Sequence, residues 1–251
     1  MFYDQAKLPD LLFAFSYGGQ KIEDQFGNYR TIKVKGRGST SVLFNVDQVQ
    51  NGTKIAAQNL QANTLEVTYL MYFDRLDEIR NLQRQLKQFL YRTGDVPIIF
   101  FDDPLITEYG RLSSFDEDDV KIYAGCFEGK YEIYQQDPLK YSETRQTGSQ
   151  INIKSPMETT PVKIDVTLSN GNSIQIKNQN TGTVLRITNA AIIPGDNISF
   201  NFDEGTVLVN GVDKTSILDL ESDFENFFIN QGDILECTNG SMTIFCREVY
   251  L

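Results

Sequence analysis

The densest group of potential metal ligands in the chain is Asp116-Glu117-Asp118-Asp119, with Asp102-Asp103 upstream. Clustered carboxylates supply the hard oxygen donors that calcium takes. This run lacks the alternating D-x-D-x-D-G order and the distal Glu of an EF-hand loop, so it reads as a solvated turn. Carboxylate pairs for glycoside hydrolysis are defined by their separation in space, which spacing in sequence does not give. Against such a cleft, the chain has no Trp to stack on a sugar, and Tyr and Phe would have to serve. Gly36-Arg37-Gly38-Ser39-Thr40-Ser41 is Gly-rich, yet it departs from the G-x-x-x-x-G-K-[ST] phosphate loop and has no helix after it, so it reads as a flexible loop.

The absence of His removes the Ser-His-Asp and Cys-His mechanisms and most zinc and non-haem iron sites. Cys126, Cys237 and Cys246 have no metal-ligand spacing, and their odd number argues against a disulfide framework. Asn239-Gly240 predicts a tight hairpin pairing Cys237 with Met242 and Asp233 with Cys246. In that register the two sulfurs lie roughly 13 Å apart at strand rise, too far for a bridge. All three thiols are expected to be buried and unreactive. The N-x-[ST] triplets at Asn51, Asn197 and Asn239 read as turn chemistry. No catalytic, cofactor-binding or metal residues are assigned.

The chain has 251 residues, 23 Lys plus Arg and 34 Asp plus Glu, for a formal charge of −11. Such a balance repels phosphate backbones, and no basic run offsets it, so nucleic acid is not an expected partner. No window is apolar enough to span a membrane, and Met1 to Lys7 lacks the order of a signal peptide, which suggests a protein made and kept in cytoplasm.

The charge is unevenly placed. Lys21 to Lys54 holds six basic and three acidic residues, net +3, whereas Asp102 to Asp119 holds seven acids and one Arg, net −6. A subunit with opposite charges on separate segments can meet a neighbour head-to-tail, and a closed ring is built from such contacts. Lys33, Lys35, Arg37, Asp116, Glu117, Asp118 and Asp119 are therefore candidate inter-subunit contacts. Asp219 to Glu236, with six acids and no base, suits an outward soluble surface.

The elements that position these residues are mainly β. Segments such as Tyr29 to Lys35, Thr64 to Leu70, Val162 to Leu168 and Ser173 to Lys177 alternate with a period of two, the mark of half-buried strands. Asn-Gly pairs at Asn51, Asn170, Asn210 and Asn239 supply hairpin turns. One amphipathic helix interrupts the pattern from Asp74 to Leu90, with Leu76, Ile79, Leu82, Leu86, Phe89 and Leu90 at spacings of three and four. Asp74 is placed to cap it. Its outer face carries Arg75, Arg80, Arg84 and Lys87, either a solvated face or a partner contact. Val96 to Phe101 is a continuous apolar run suited to a strand buried on both sides. Lys121 to Ile133 reads as a strand or pair of strands with Gly at bends. The polar stretch Gln135 to Gln150 marks a domain boundary, set near Gln136, giving domains 1–136 and 137–251; the recurrent strands of the second suggest a small sandwich.

The order of these features resembles the distal tail proteins of long-tailed, non-contractile bacteriophages that infect Gram-positive bacteria. The resemblance runs through Leu65-Glu66-Val67-Thr68-Tyr69 into the helix, Val96 to Phe101, Tyr123-Ala124-Gly125-Cys126-Phe127-Glu128-Gly129 and Gln136-Asp137-Pro138-Leu139-Lys140-Tyr141. It continues through Asn178-Gln179-Asn180-Thr181-Gly182, Phe200-Asn201-Phe202-Asp203, Val207-Leu208-Val209-Asn210-Gly211 and the closing Thr243 to Leu251.

The resemblance implies an N-terminal split-barrel-like β domain with one helix and a projecting hairpin, and a C-terminal galectin-like β-sandwich. It implies a structural hub of a phage tail tip: a homohexameric ring joining the tail tube protein to the tail-associated spike or fibre protein and to baseplate or receptor-binding proteins, located in the virion tail tip and assembled in host cytoplasm, without catalysis or cofactor. The roughly 115 residues after the boundary leave little room for the long arm with which some relatives grip receptor-binding proteins; such attachment would need an adaptor. The His and Trp that galectins use for galactosides are missing. The rival class is a carbohydrate-binding or hydrolytic tail protein acting on cell-wall polysaccharide, and a third is a β-sandwich adaptor unrelated to phage.

Overall fold

Alternating apolar residues become strands along most of the chain. A computed structural model describes residues 13–251, the side chains of Val49 and Asp119 excepted; the Met1 to Lys7 segment lies outside the described residues. Contacts divide the chain into two units, Met1–Lys140 with Leu251, and Tyr141–Tyr250.

The first unit contains β1 (Phe15–Tyr17), β2 (Gln20–Lys21), the single-turn α1 (Ile22–Gln25), β3 (Tyr29–Lys35), β4 (Val42–Val49), β5 (Gly52–Leu60), β6 (Asn63–Tyr72), α2 (Ile79–Leu90), β7 (Val96–Phe100), β8 (Ile106–Tyr123) and β9 (Cys126–Gln135). Of these strands, all but β4 and β5 join one sheet path in the order β2-β1-β7-β8-β9-β6-β3. The centre is the β6–β9 pair, in unbroken antiparallel register from Asn63 opposite Gln135 to Tyr72 opposite Cys126. Period two then puts Leu65, Val67, Tyr69 and Met71 beside Phe127, Tyr131 and Ile133 on one buried face. Gly129 takes its place in that row because a Cβ there would collide with the Tyr69 ring and hydroxyl.

Helix α2 covers this face with Ile79, Leu86 and Leu90, each burial stabilising by about 1.5–3 kcal/mol. Its start differs from the sequence reading. Leu76–Glu78 form a 3-10 turn, and the Glu78 carboxylate accepts the backbone N–H groups of Asp74 and Arg75 at 3.3 and 3.4 Å. This is the reciprocal half of a capping box, with Arg75 rather than Asp74 at the N-cap position. Strand β7 is also less enclosed than expected: Ile98 and Phe100 are buried, their neighbours are half-buried, and Phe101 just beyond is 46% exposed.

The second unit is a two-layer sandwich. Its strands are β10 (Lys140–Ser142), β11 (Arg145–Thr147), β12 (Lys163–Leu168), β13 (Ser173–Asn178), β14 (Val184–Thr188), β15 (Asn197–Asn201), β16 (Thr206–Val209), β17 (Val212–Asp213), β18 (Leu235–Thr238), β19 (Gly240–Cys246) and β20 (Val249–Tyr250). One sheet runs β11-β19-β12-β15-β16-β17 and the other β14-β13-β18, while β20 pairs with β10. Ile164, Val166, Ile198, Phe200, Val207 and Ile244 of the larger sheet meet Ile174, Ile176, Leu185, Ile187 and Leu235 of the smaller in one core.

The four Asn-Gly pairs serve two purposes. Asn51-Gly52 and Asn210-Gly211 close hairpins, β4–β5 and β16–β17. Asn170-Gly171 and Asn239-Gly240 instead carry the chain from one sheet to the other, since β12 and β19 pair together while β13 pairs with β18. Asn239, at φ 61°, makes the second crossing. Cys237 and Met242 are therefore not cross-strand partners: Met242 lies opposite Val166 and Cys237 opposite Ile176. Left-handed backbone is all that the dipeptide specifies, and it serves a crossing as well as a hairpin. Of the three free thiols Cys246 is buried, whereas Cys126 and Cys237 are half-buried. Burial pushes Cys237 up to about 11 and Cys246 up to about 12.

Candidate assembly surfaces

Strands β4 and β5 form a separate two-stranded sheet, and every described residue from Ser41 to Asn59 is exposed. Opposed residues share a face, so Val42 with Leu60 and Val46 with Ile55, on either side of Phe44 and its partner Gln58, make a largely apolar face. Phe44 is 50% and Ile55 57% exposed. The other face carries Leu43 and the cross-strand pair Asp47 and Lys54. The register slips between Asn45 and Val46, where Ala56 is the extra residue, which bends and twists the arm. A two-stranded hairpin with no covering layer is marginal in water, so apolar side chains along one face are a surface awaiting a second layer.

Both roots of the arm are tied to the main sheet. At the entry, Gly36 has φ +95°, and a Cβ there would collide with the Thr64 carbonyl. Arg37 places its guanidinium 3.7 Å from the centre of the buried Phe100 ring and donates to both carboxylate oxygens of Asp102 at 2.8 Å. The Arg37 guanidinium in turn holds the Asp102 carboxyl below its ordinary range. At the exit, Asn63 donates to the Gly36 carbonyl and to Gln135 Oε1, both at 2.8 Å, and Gln135 donates to Glu108 Oε2 at 2.8 Å. Burial raises the Glu108 carboxyl above the usual glutamate value. The Gly-rich stretch thus remains a loop without regular structure, but its first two residues are fastened.

The charged segments are partly paired within the subunit. Lys35 lies 2.5 Å from Glu66 across β3 and β6, while Lys33, on the same strand face, is exposed. Asp116 to Asp119 lie inside β8, where its register with β9 is interrupted between Asp116 and Lys121, rather than in a turn. Only a long irregular strand brings these acids over α2. There Glu117 meets Lys87 at 2.7 Å and Arg80 at 4.0 Å, and Asp118 meets Arg80 at 3.6 Å. Lys87, with Arg80 and Arg84 adding to it, holds the Glu117 carboxyl below its ordinary range. Beneath them Gln83 is fully buried and donates to the Glu117 carbonyl at 3.3 Å. Arg75 pairs with Asp77 at the helix start, and Arg84 donates to the Arg80 carbonyl. Among the described residues no group of three or more acidic or Cys side chains is arranged around a metal position.

The acidic stretch after Asp219 also has structural work. Asp219 and Asp223 accept the backbone N–H groups of Thr188 and Val184 at 3.0 and 2.8 Å, and Ser222 exchanges hydrogen bonds with the Arg186 backbone. These side chains occupy the open edge of β14 as a strand would. Alternating apolar residues locate β14, but nothing in the sequence pattern shows which edge a later acidic loop covers.

Residues 157–250 match the family described as siphovirus-type tail component, C-terminal domain. The chain is 27% identical over 255 residues to the distal tail protein of Bacillus phage SPP1, covering 95% of this chain and 96% of that protein. The crystal structure of SPP1 Dit, described as a paradigm of the hub adsorption apparatus in phages infecting Gram-positive bacteria, superposes with a TM-score of 0.79 at 24% identity over 95% of this chain and 99% of that one. A chain of the phage p2 baseplate in its activated conformation with strontium gives a TM-score of 0.58 at 10% identity, over 95% and 97% of the two chains.

Proposed function

We propose, starting from a chain that resembles a siphophage distal tail protein over 95% of its length, that this protein is the structural hub of a phage tail tip. Six copies close into a ring through the N-terminal domain, which ends near Gln136. The ring joins the tail tube protein to the tail-associated spike or fibre, and carries baseplate or receptor-binding proteins at host adsorption, in the virion. The reading assigns no catalytic step and no cofactor.

The observation that carries it is the exposed, largely apolar face of the β4–β5 hairpin, in a chain that matches a distal tail protein over 95% of its length. A ring subunit needs a surface that is unsatisfied alone and covered by a copy of itself, and heterologous contact between copies closes a ring when the rotation allows. Exposed Lys33 and Asp118, and the helix residues Arg80, Arg84 and Lys87, border such contacts as charged rim groups.

Light scattering on the eluting protein, with negative-stain microscopy, tests the reading. A six-copy particle with a central opening is expected. A monomer at high concentration with no ring particles overturns it.

A further inference from the structure

We propose that Arg37 is a positioning residue for self-association: it presents the β4–β5 arm by fastening its root to Asp102 and Phe100, not by touching a neighbouring copy. The inference rests on the reading of the hairpin as a contact between copies.

Three independent features converge on the root. The guanidinium is used twice over within its own subunit, its Cζ 3.7 Å from the Phe100 ring centre and its fork on Asp102. That geometry suits Arg and not Lys, whose ammonium is a point charge without a stacking plane. Gly36, just before it, is in a left-handed conformation that brings its backbone against Thr64, so the chain enters the arm in one direction. On the exit side the Asn63 amide ties the Gly36 carbonyl to Gln135, bridging the two roots. Beyond these ties every described residue of the arm from Ser41 to Asn59 is exposed. Its direction is therefore set at the root. An arm fixed before contact loses less freedom on binding than one that swings. Releasing the root should weaken association about 10-fold or more.

The test measures self-association of the full chain by sedimentation velocity over a concentration series, with circular dichroism and thermal melting as checks on folding. Arg37→Ala, Arg37→Lys and Asp102→Ala are each expected to weaken association about 10-fold, while the Arg37→Ala/Asp102→Ala double variant is no worse than either single one. Hydrogen exchange should quicken at residues 36–41 in each. If Arg37→Ala weakens association but Asp102→Ala does not, Arg37 acts by direct contact and the inference is overturned. It is also overturned if neither change matters while Phe44→Asp abolishes association. If Phe44→Asp leaves association intact, the hairpin reading itself fails, and the inference with it.

Discussion

Lys87 Nζ on helix α2 lies 2.7 Å from Glu117 Oε1 on strand β8. That contact turns part of the basic helix face toward the acidic run of its own subunit. The acidic run, expected to meet the basic 21–54 segment of a neighbour, is thus met in part by the helix of its own subunit.

Acid should loosen this attachment. The Glu117, Asp102 and Glu66 carboxyls are all held below their ordinary values, by Lys87, Arg37 and Lys35 respectively. A depressed carboxylate favours the folded state above its unfolded value, and that contribution disappears as pH falls through the folded value. Thermal melting should therefore show a falling Tm below about pH 4.5 for the glutamates. Glu117→Gln should shrink that fall and lower the Tm at neutral pH. An unchanged acid limb in the variant counts against the Lys87 contact.

Glu108 should act in the opposite sense. Its value is raised by burial, with the Gln135 hydrogen bond opposing. A raised carboxyl favours the folded state below its unfolded value, and the benefit is lost as pH rises through the folded value. The Tm of Glu108→Gln minus that of the parent should become more positive as pH climbs out of the ordinary glutamate range. A difference independent of pH rejects the assignment.

Tyr69 and Gly129 form a size-matched pair. Tyr69 is fully buried against Tyr29 and Tyr131, with ring centres 5.4 and 5.7 Å away, so it has no room to yield to a Cβ at position 129. Gly129→Ala should destabilise by about 1–3 kcal/mol in denaturant titration. The Tyr69 hydroxyl has no hydrogen-bond partner among the described residues. Tyr69→Phe should be neutral or stabilising by up to about 1 kcal/mol, whereas Tyr29→Phe breaks the 2.9 Å pair with Tyr131 and should destabilise.

Uncovering the β14 edge should promote association of the wrong kind. Asp223→Ala removes the acceptor for the Val184 N–H at 2.8 Å and should cost about 1 kcal/mol. The exposed strand edge should also speed aggregation, measured by static scattering on warming. Aggregation equal to the parent's means that the loop covers the edge without this carboxylate.

Periodicity made the β class and the helix legible, because alternation and three-four spacing report directly which face is buried: Leu65 to Met71 and Ile79 to Leu90 lie as their spacing predicts. Pairing was less legible. Asn239-Gly240 has the chemistry of a tight turn, yet which strands flank it in space depends on β12 and β13, more than sixty residues earlier. Charge was the least legible. Segment sums distinguish basic from acidic stretches but are blind to cross-strand partners such as Lys35 and Glu66, or to the bidentate grip of Arg37 on Asp102. The hairpin's apolar face was readable only once the register set Val46 opposite Ile55.

The Asn239 crossing also decides how the sandwich carries a load. Strand β19 follows it immediately and is laced on both sides, to β11 and β12. Both neighbours run antiparallel to it, with Arg145 opposite Cys246 and Lys163 opposite Phe245, so the chain enters β11 and β12 at the end where it leaves β19. A pull between those ends parts the strands bond by bond. A pull at the Asn239 crossing against the start of β12 instead loads the whole ladder in shear.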